Sequence, residues 1–295
     1  MKINVELSRN LALLYSLLNR FNQAYGKPTN PLRIKIIDHF RNYAGSEPKV
    51  EDYIHEHKVV IWALSVSEPP AFEINHDISE ELQWHFNKGS SIKPYLIDFY
   101  NNTDFKSFYD TLLLPELNKI KSEYESIISK FDIVNVLESA WKIVINEQMI
   151  LIPNPFTQGS FGPKIDSVNY QVVGEISDSY LINNLLHEGS HPLAKEVLKP
   201  FEKVIALKTG LLEQARKHPK YSKAYNAWNT CFEEHLIRAV QIGLLNPKII
   251  SNYNILEALE KEKNNNGMVF IDTFYKYING NSIKRAIPKI LDDLK

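Results

Sequence analysis

The sequence predicts an α+β fold that is predominantly helical, and three observations predict it. Helical periodicity with recognisable caps runs from residue 8 to about 140. A block of β-branched and aromatic residues, interrupted by a Pro/Gly-rich loop, occupies 141–176. From 178 to the end the helical pattern returns. This order divides the chain into an N-terminal mainly helical region, 1–140, and a second region, 141–295. The second holds a small antiparallel sheet, a helix at 178–191 and a helical C-terminal part, and the two regions are also compatible with one compact unit.

Leu11-Ala-Leu-Leu-Tyr-Ser-Leu-Leu18, flanked by Arg9 and Arg20 and preceded by Glu6, reads as an amphipathic helix rather than a cleavable signal segment. Asn30-Pro31 caps a helix from Leu32 to Tyr43 that Gly45 closes, with proline early and glycine just past the end. Further helical runs cover about 50–66, 79–86, 92–101, 105–114 and 116–130. Strands are expected at Trp141–Ile145, Gln148–Ile152 and Asn169–Ile176, separated by Asn146-Glu147 and the loop 153–163. In the C-terminal part, Pro219, Pro247, Asn264–Gly267 and Gly280 mark the breaks between helices.

The helix at 178–191 carries the most specific pattern in the chain, His187-Glu-Gly-Ser-His191. Residues i and i+4 share a helix face, so two imidazoles stand side by side, as a tetrahedral zinc ion requires from one element. Glu188 then lies beside the metal and is placed to take a proton from a water held there. Ser177 and Asp178 offer N-cap side chains; Leu181, Ile182, Leu185 and Leu186 give a buried flank. Tyr180, Asn183 and Asn184 share the histidine face, which suits a wet cleft. Gly189 is unfavourable in a helix interior and implies that a sheet or another backbone passes close by. Pro192 should stop or kink the helix just after His191.

A catalytic zinc keeps three protein ligands and one water, so a third ligand must come from elsewhere. The metzincin extension requires Gly and His where this chain has Ala194 and Val197, and is excluded. Later glutamates are the candidates: Glu196, Glu202, Glu213, Glu233 and Glu234. The best segment is the proline-free run Ala224–Leu244, where Glu233-Glu234 and His235 sit in a largely apolar stretch and Arg238 stands one turn beyond Glu234. Spacing leaves Glu233 and Glu234 both open. Cys231 on the same helix reads as a packing residue.

The chain resembles an uncharacterised domain-of-unknown-function family of zincin-like proteins. The matching segments are Val5-Glu6-Leu7, Asp98-Phe99-Tyr100 with Asp104-Phe105, Phe161-Gly162-Pro163, the His187–His191 motif and Glu234-His235-Leu-Ile-Arg238-Ala239. They run in the same order over most of the chain, and the last two are the specific ones. The chain departs from the family after the second histidine, at Pro192-Leu193-Ala194. The resemblance implies a zincin-like core, Glu234 as third ligand, and a gluzincin-like metallopeptidase binding zinc through two His and one Glu.

Composition excludes other classes. The 295 residues are 44% hydrophobic and 23% charged, ordinary for a globular chain with a full core. Lys plus Arg number 34 against 35 Asp plus Glu with no basic block, which argues against nucleic acid as a partner. A single cysteine allows no intrachain disulfide and suggests a reducing, cytoplasmic setting. No apolar run is long enough to span a membrane. His55-Glu56-His57 places its rings about 200° apart on a helix, so they cannot share a metal there. His39, His76, His85 and His218 are isolated, and no Gly-x-Ser-x-Gly or phosphate loop occurs.

The expected function is therefore a zinc-dependent hydrolase, most specifically a protease acting on peptide or protein substrate. His187, His191 and Glu234 would hold zinc and Glu188 would act as general base. Tyr170, Tyr180, Tyr225, His235 and Arg238 are candidates to stabilise the oxyanion, and the strand at 169–176 is a candidate cleft wall. The alternative is a non-catalytic helical binding protein with a structural metal or none.

Overall fold

The computed structural model describes residues 1–50, 52–75, 78, 80–174, 178–218, 227–279 and 282–294. The chain is α+β, mostly helical, and divides into two compact units. One comprises Lys2–Ile128 and Glu147–Leu181; the other comprises Met1, Ser129–Asn146 and Ile182–Lys295. This partition does not follow the 140/141 boundary, because the sheet segments join the N-terminal helices.

The first unit contains a four-stranded sheet, β1 (Lys2–Val5), β2 (Gln148–Pro153), β3 (Lys164–Ile165) and β4 (Val168–Val173), in the order β1-β2-β4-β3. The expected antiparallel sheet is corrected here. β1 and β4 both run parallel to β2, and only β3 with β4 is antiparallel. β2 is buried from Met149 to Pro153, and the last four residues of β4 are buried too. Such continuous burial, with Gln171 the one polar member, is what a sheet covered on both faces demands.

Its helices are α1 (Arg9–Arg20), α2 (Pro31–His39), α3 (Tyr53–Leu64), α4 (Glu80–Gly89), α5 (Lys93–Asn102), α6 (Phe105–Phe108) and most of α7 (Leu114–Phe131). α1 forms where the amphipathic helix was expected. Every residue from Asn10 to Asn19 is buried, so α1 is a central helix and not a surface one. Its polar residues survive burial through hydrogen bonds. Asn10 donates to the carbonyls of Ala63, Val66 and Ser67, and Asn19 to those of Tyr15 and Phe156. Ser8 caps α1 at the Leu11 amide and Asn30 caps α2 at the Leu32 amide, with Pro31 at the first turn as expected.

A buried polar cluster ties the same unit together. Arg33, fully buried, donates to the carbonyls of Ala24, Tyr25, Gly26 and Lys27 and to Asn19. Glu56 accepts from the Tyr15 hydroxyl at 2.7 Å, the Thr157 hydroxyl at 2.9 Å and the Tyr25 amide at 2.9 Å. Burial pushes the Glu56 carboxyl up, while these donors and the Arg33 charge oppose it.

The second unit is helical: the end of α7, α8 (Ile133–Trp141), α9 (Asp178–Glu188, from Ile182 onward), α10 (Ser190–Leu198), α11 (Glu202–Ala206), α12 (Leu211–Arg216), α13 (Trp228–Val240), α14 (Asn246–Ile249), α15 (Ile255–Asn266), α16 (Ile271–Ile278) and α17 (Ile283–Asp293). A π-helical turn, Gln241–Leu245, links α13 to α14. The strand expected at Trp141–Ile145 is absent: Trp141 closes α8, and Lys142 in the left-handed region stops it. α13 packs on α10 and α16, with Phe232 edge-on to Phe274 at 4.8 Å between ring centres. Gly267, at φ 73°, ends α15 where the asparagine run predicts a break. The Ser177 cap, Ile176, His76, Pro219 and Gly280 lie outside the described residues.

Candidate metal centre

The 178–191 segment is two helices with a joint between them. α9 ends at Glu188 and α10 begins at Ser190, so the break falls one residue after Glu188 and not after His191. Pro192 sits in the first turn of α10, where its missing N–H would have found no intrahelical acceptor, and is harmless there. Gly189 keeps helical angles (φ −66°, ψ −18°) and its N–H still reaches the Leu185 carbonyl at 2.9 Å. A Cβ at 189 would lie 2.6 Å from Leu137 Cδ1 and 2.7 Å from the Leu185 oxygen. Of the sheet or other backbone that the sequence suggested, no sheet is near: the close neighbours are a side chain of α8 and a backbone oxygen of α9. Ser190 continues the joint: its hydroxyl donates to the Leu186 carbonyl and accepts from the Trp141 indole.

Because the joint preserves helical pitch, His187 and His191 remain neighbours. Their ring centres are 5.1 Å apart and the rings are perpendicular. Facing them from α13 is Glu234. One carboxylate oxygen lies 3.5 Å from His187 Nε2 and the other 3.4 Å from His191 Nε2. The three residues can offer ligand atoms all within 4.8 Å of one another. Donors bound at about 2.1 Å to one tetrahedral ion stand about 3.4 Å apart, so the donor set fits a divalent cation such as zinc. Glu188 Oε2 is 4.0 Å from His191 Nε2, at the edge of the same cluster.

Glu233 has a separate place. It accepts from His191 Nδ1 at 2.8 Å, on the side of the ring opposite Nε2. This contact orients the ring and leaves Nε2 directed at Glu234. The contact was not foreseen from the sequence, although a second acidic residue adjoining a candidate ligand was the available signal.

The electrostatics follow from burial and crowding. Burial holds His187 well below the ordinary imidazole range, and the positive charges of Arg238 and His191 add to the effect. For His191 burial acts in the same direction, but the Glu233 hydrogen bond and the charges of Glu234, Glu188 and Glu233 outweigh it and raise the pKa. Burial raises Glu234, as do Glu188 and Glu233, against the pull of His191 and Arg238. Three carboxylates around two imidazoles make a site in need of positive charge.

The remaining candidates separate. Glu196, on α10 beyond His191, and Glu202 and Glu213, on α11 and α12, are exposed and are not in the cluster. His235 is fully buried, hydrogen-bonds the Cys231 carbonyl through Nδ1 at 2.7 Å and is held down to about 4, chiefly by burial. It lies against Phe270 and Phe274, packed as a core residue. Cys231 is free and buried, and burial with the Glu234 charge pushes its thiol up to about 12, as a packing residue requires. Arg238 pairs with Glu262 at 3.2 Å and is close enough to act on both His187 and Glu234. Tyr170 and Tyr180 belong to the other unit, as does β4, and Tyr225 lies outside the described residues. No helix among the described residues is long and apolar enough to cross a membrane. Comparison of the chain with protein families, curated proteins and solved structures finds no match.

Proposed function

We propose that the chain is a zinc-dependent hydrolase of the zincin-like, gluzincin type, most specifically a peptidase, with His187, His191 and Glu234 holding the ion. The observation that carries this reading is the facing of Glu234 toward Nε2 of both histidines at 3.4–3.5 Å, with Glu188 alongside. A zinc ion bound there would polarise a substrate carbonyl and make a water acidic enough to give up its proton near neutral pH. Glu188 accepts that proton and delivers it to the leaving nitrogen. Glu233 keeps His191 in the tautomer whose Nε2 lone pair points inward. Arg238 adds a fixed positive charge beside Glu234, suited to a developing oxyanion.

The test begins with metal analysis of protein purified without chelator, where about one zinc per chain is expected. Glu188→Gln should keep that zinc and lose chelator-sensitive cleavage of a mixed peptide library by about 10²–10⁴-fold. Protein without metal would end the reading. Zinc bound by a wild-type chain that cleaves no peptide would favour the non-catalytic metal-binding alternative.

A further inference from the structure

The two histidines of the metal centre are held by different means. His191 gives its second nitrogen to a carboxylate, Glu233. The second nitrogen of His187, Nδ1, is buried and meets no partner at full hydrogen-bond geometry among the described residues. A ligating histidine ordinarily directs its other nitrogen at an acceptor, and a buried N–H left without one is destabilising.

The polar side chain placed to serve that nitrogen is Gln241, whose amide is anchored to α9 at Asn183, one helical turn before His187. Its position follows from helix geometry. Positions 234, 238 and 241 follow the i, i+4, i+7 spacing of one helix face. Gln241 is the first residue of the π-helical turn and still has helical angles (φ −59°, ψ −47°). Gln241 is buried, and its amide nitrogen is committed: Nε2 donates to the Asn183 carbonyl at 2.9 Å and lies 3.4 Å from Asn183 Oδ1. With the nitrogen facing two oxygens, the amide orientation is fixed, and its oxygen is the end left to accept. Asn183 stands one turn before His187 on α9, and the side chains of a helix lean toward the preceding turn. The same amide is therefore fixed to the backbone of α9 one turn before the ring that this helix carries.

We infer that Gln241 is a positioning residue for His187. Its side-chain oxygen receives the Nδ1 proton, which leaves the Nε2 lone pair directed at Glu234, and its nitrogen anchors that acceptor to the Asn183 carbonyl. The centre thus has one histidine backed by a charged acceptor and one backed by a neutral amide. This inference rests on the metal-site reading above and extends it to a residue that does not touch the ion.

Gln241→Leu keeps much of the volume and removes both hydrogen bonds. Wild type and variant, stripped of metal, are titrated with zinc against a chromophoric chelator and with cobalt(II) for its visible spectrum. The variant should bind zinc about 10–100-fold more weakly and show displaced cobalt bands, with the metal-free circular dichroism unchanged. Equal affinity and identical cobalt bands would overturn the inference while leaving the metal site intact. Wild type that binds neither ion overturns the underlying metal reading instead. Should the variant misfold, the wild-type chain suffices. In its zinc-loaded form with ¹⁵N-histidine, the Nδ1 proton of His187 should resonate downfield and exchange slowly. A rapidly exchanging proton, or zinc attached through Nδ1, would overturn the assignment.

Discussion

Glu233 and Glu234 are adjacent in sequence and opposite in task, because successive helical side chains diverge by about 100°. Glu234 meets Nε2 of both imidazoles, whereas Glu233 passes behind His191 to Nδ1. At the proposed metal site, removing the first would delete a ligand and removing the second would only loosen one. Glu234→Ala should abolish stoichiometric zinc, and Glu233→Ala should weaken it about 10–100-fold, read by competition with a chelator. Equal losses in the two variants would break this division of labour. The histidine pair was legible in the sequence because i,i+4 spacing is a property of the chain itself. The choice between the glutamates was not, since it depends on how α13 is rotated against α10. Gln241 was hidden altogether, for its partner Asn183 lies far back on α9.

At the level of elements, the joint between α9 and α10 is the part most exposed to mutation. Gly189→Ala places a methyl group against Leu137 and the Leu185 carbonyl, and a backbone oxygen cannot yield as a flexible side chain can. Overpacking of this kind costs about 1–3 kcal/mol, so melting should fall by several degrees and zinc affinity should fall with it. Gly210 is the control. Nothing lies within 4 Å of its Cβ position and its φ is −58°, so Gly210→Ala should leave melting unchanged or raise it. A Gly189→Ala protein as stable as wild type would remove the close approach of α8 as the reason for that glycine. Most helices could be read from caps and periodicity, as Asn30-Pro31 and Gly267 illustrate. The strands were harder. Ile143-Val144-Ile145 has β-branched composition, yet it follows a helix stop at Lys142 and forms no ladder, and Val144 is 80% exposed. Lys2–Val5 is too short and too polar to announce itself, and its partner is half a chain away.

Across the whole molecule, buried ionisable groups set how stability responds to acid. His57 lies flat against Phe161 at 5.6 Å, and burial, with the charges of His85 and Lys58, lowers it from 6.5 to about 4. The unfolded chain takes up that proton near pH 6.5 while the folded chain resists it until about pH 4. Stability contributed by the neutral ring is therefore complete above pH 6.5 and is lost as pH falls toward 4, by about 3 kcal/mol. In metal-free protein, His57→Phe should flatten that loss, measured as the change in urea midpoint between pH 7 and pH 4. An unchanged slope would place the acid sensitivity in other groups. The sheet has a consequence of another kind. Lys2 pairs with Gln148 and Val5 with Leu151, so β1, once it leaves the ribosome, cannot find its neighbour until more than 140 further residues have followed. At about 5–20 residues per second that delay is on the order of ten seconds. Throughout it β1 is an unpaired edge, open to any passing strand. Lys2 and Asn4, which weakened its signature in the sequence, are the kind of polar residues that keep such an edge from being taken by the wrong partner.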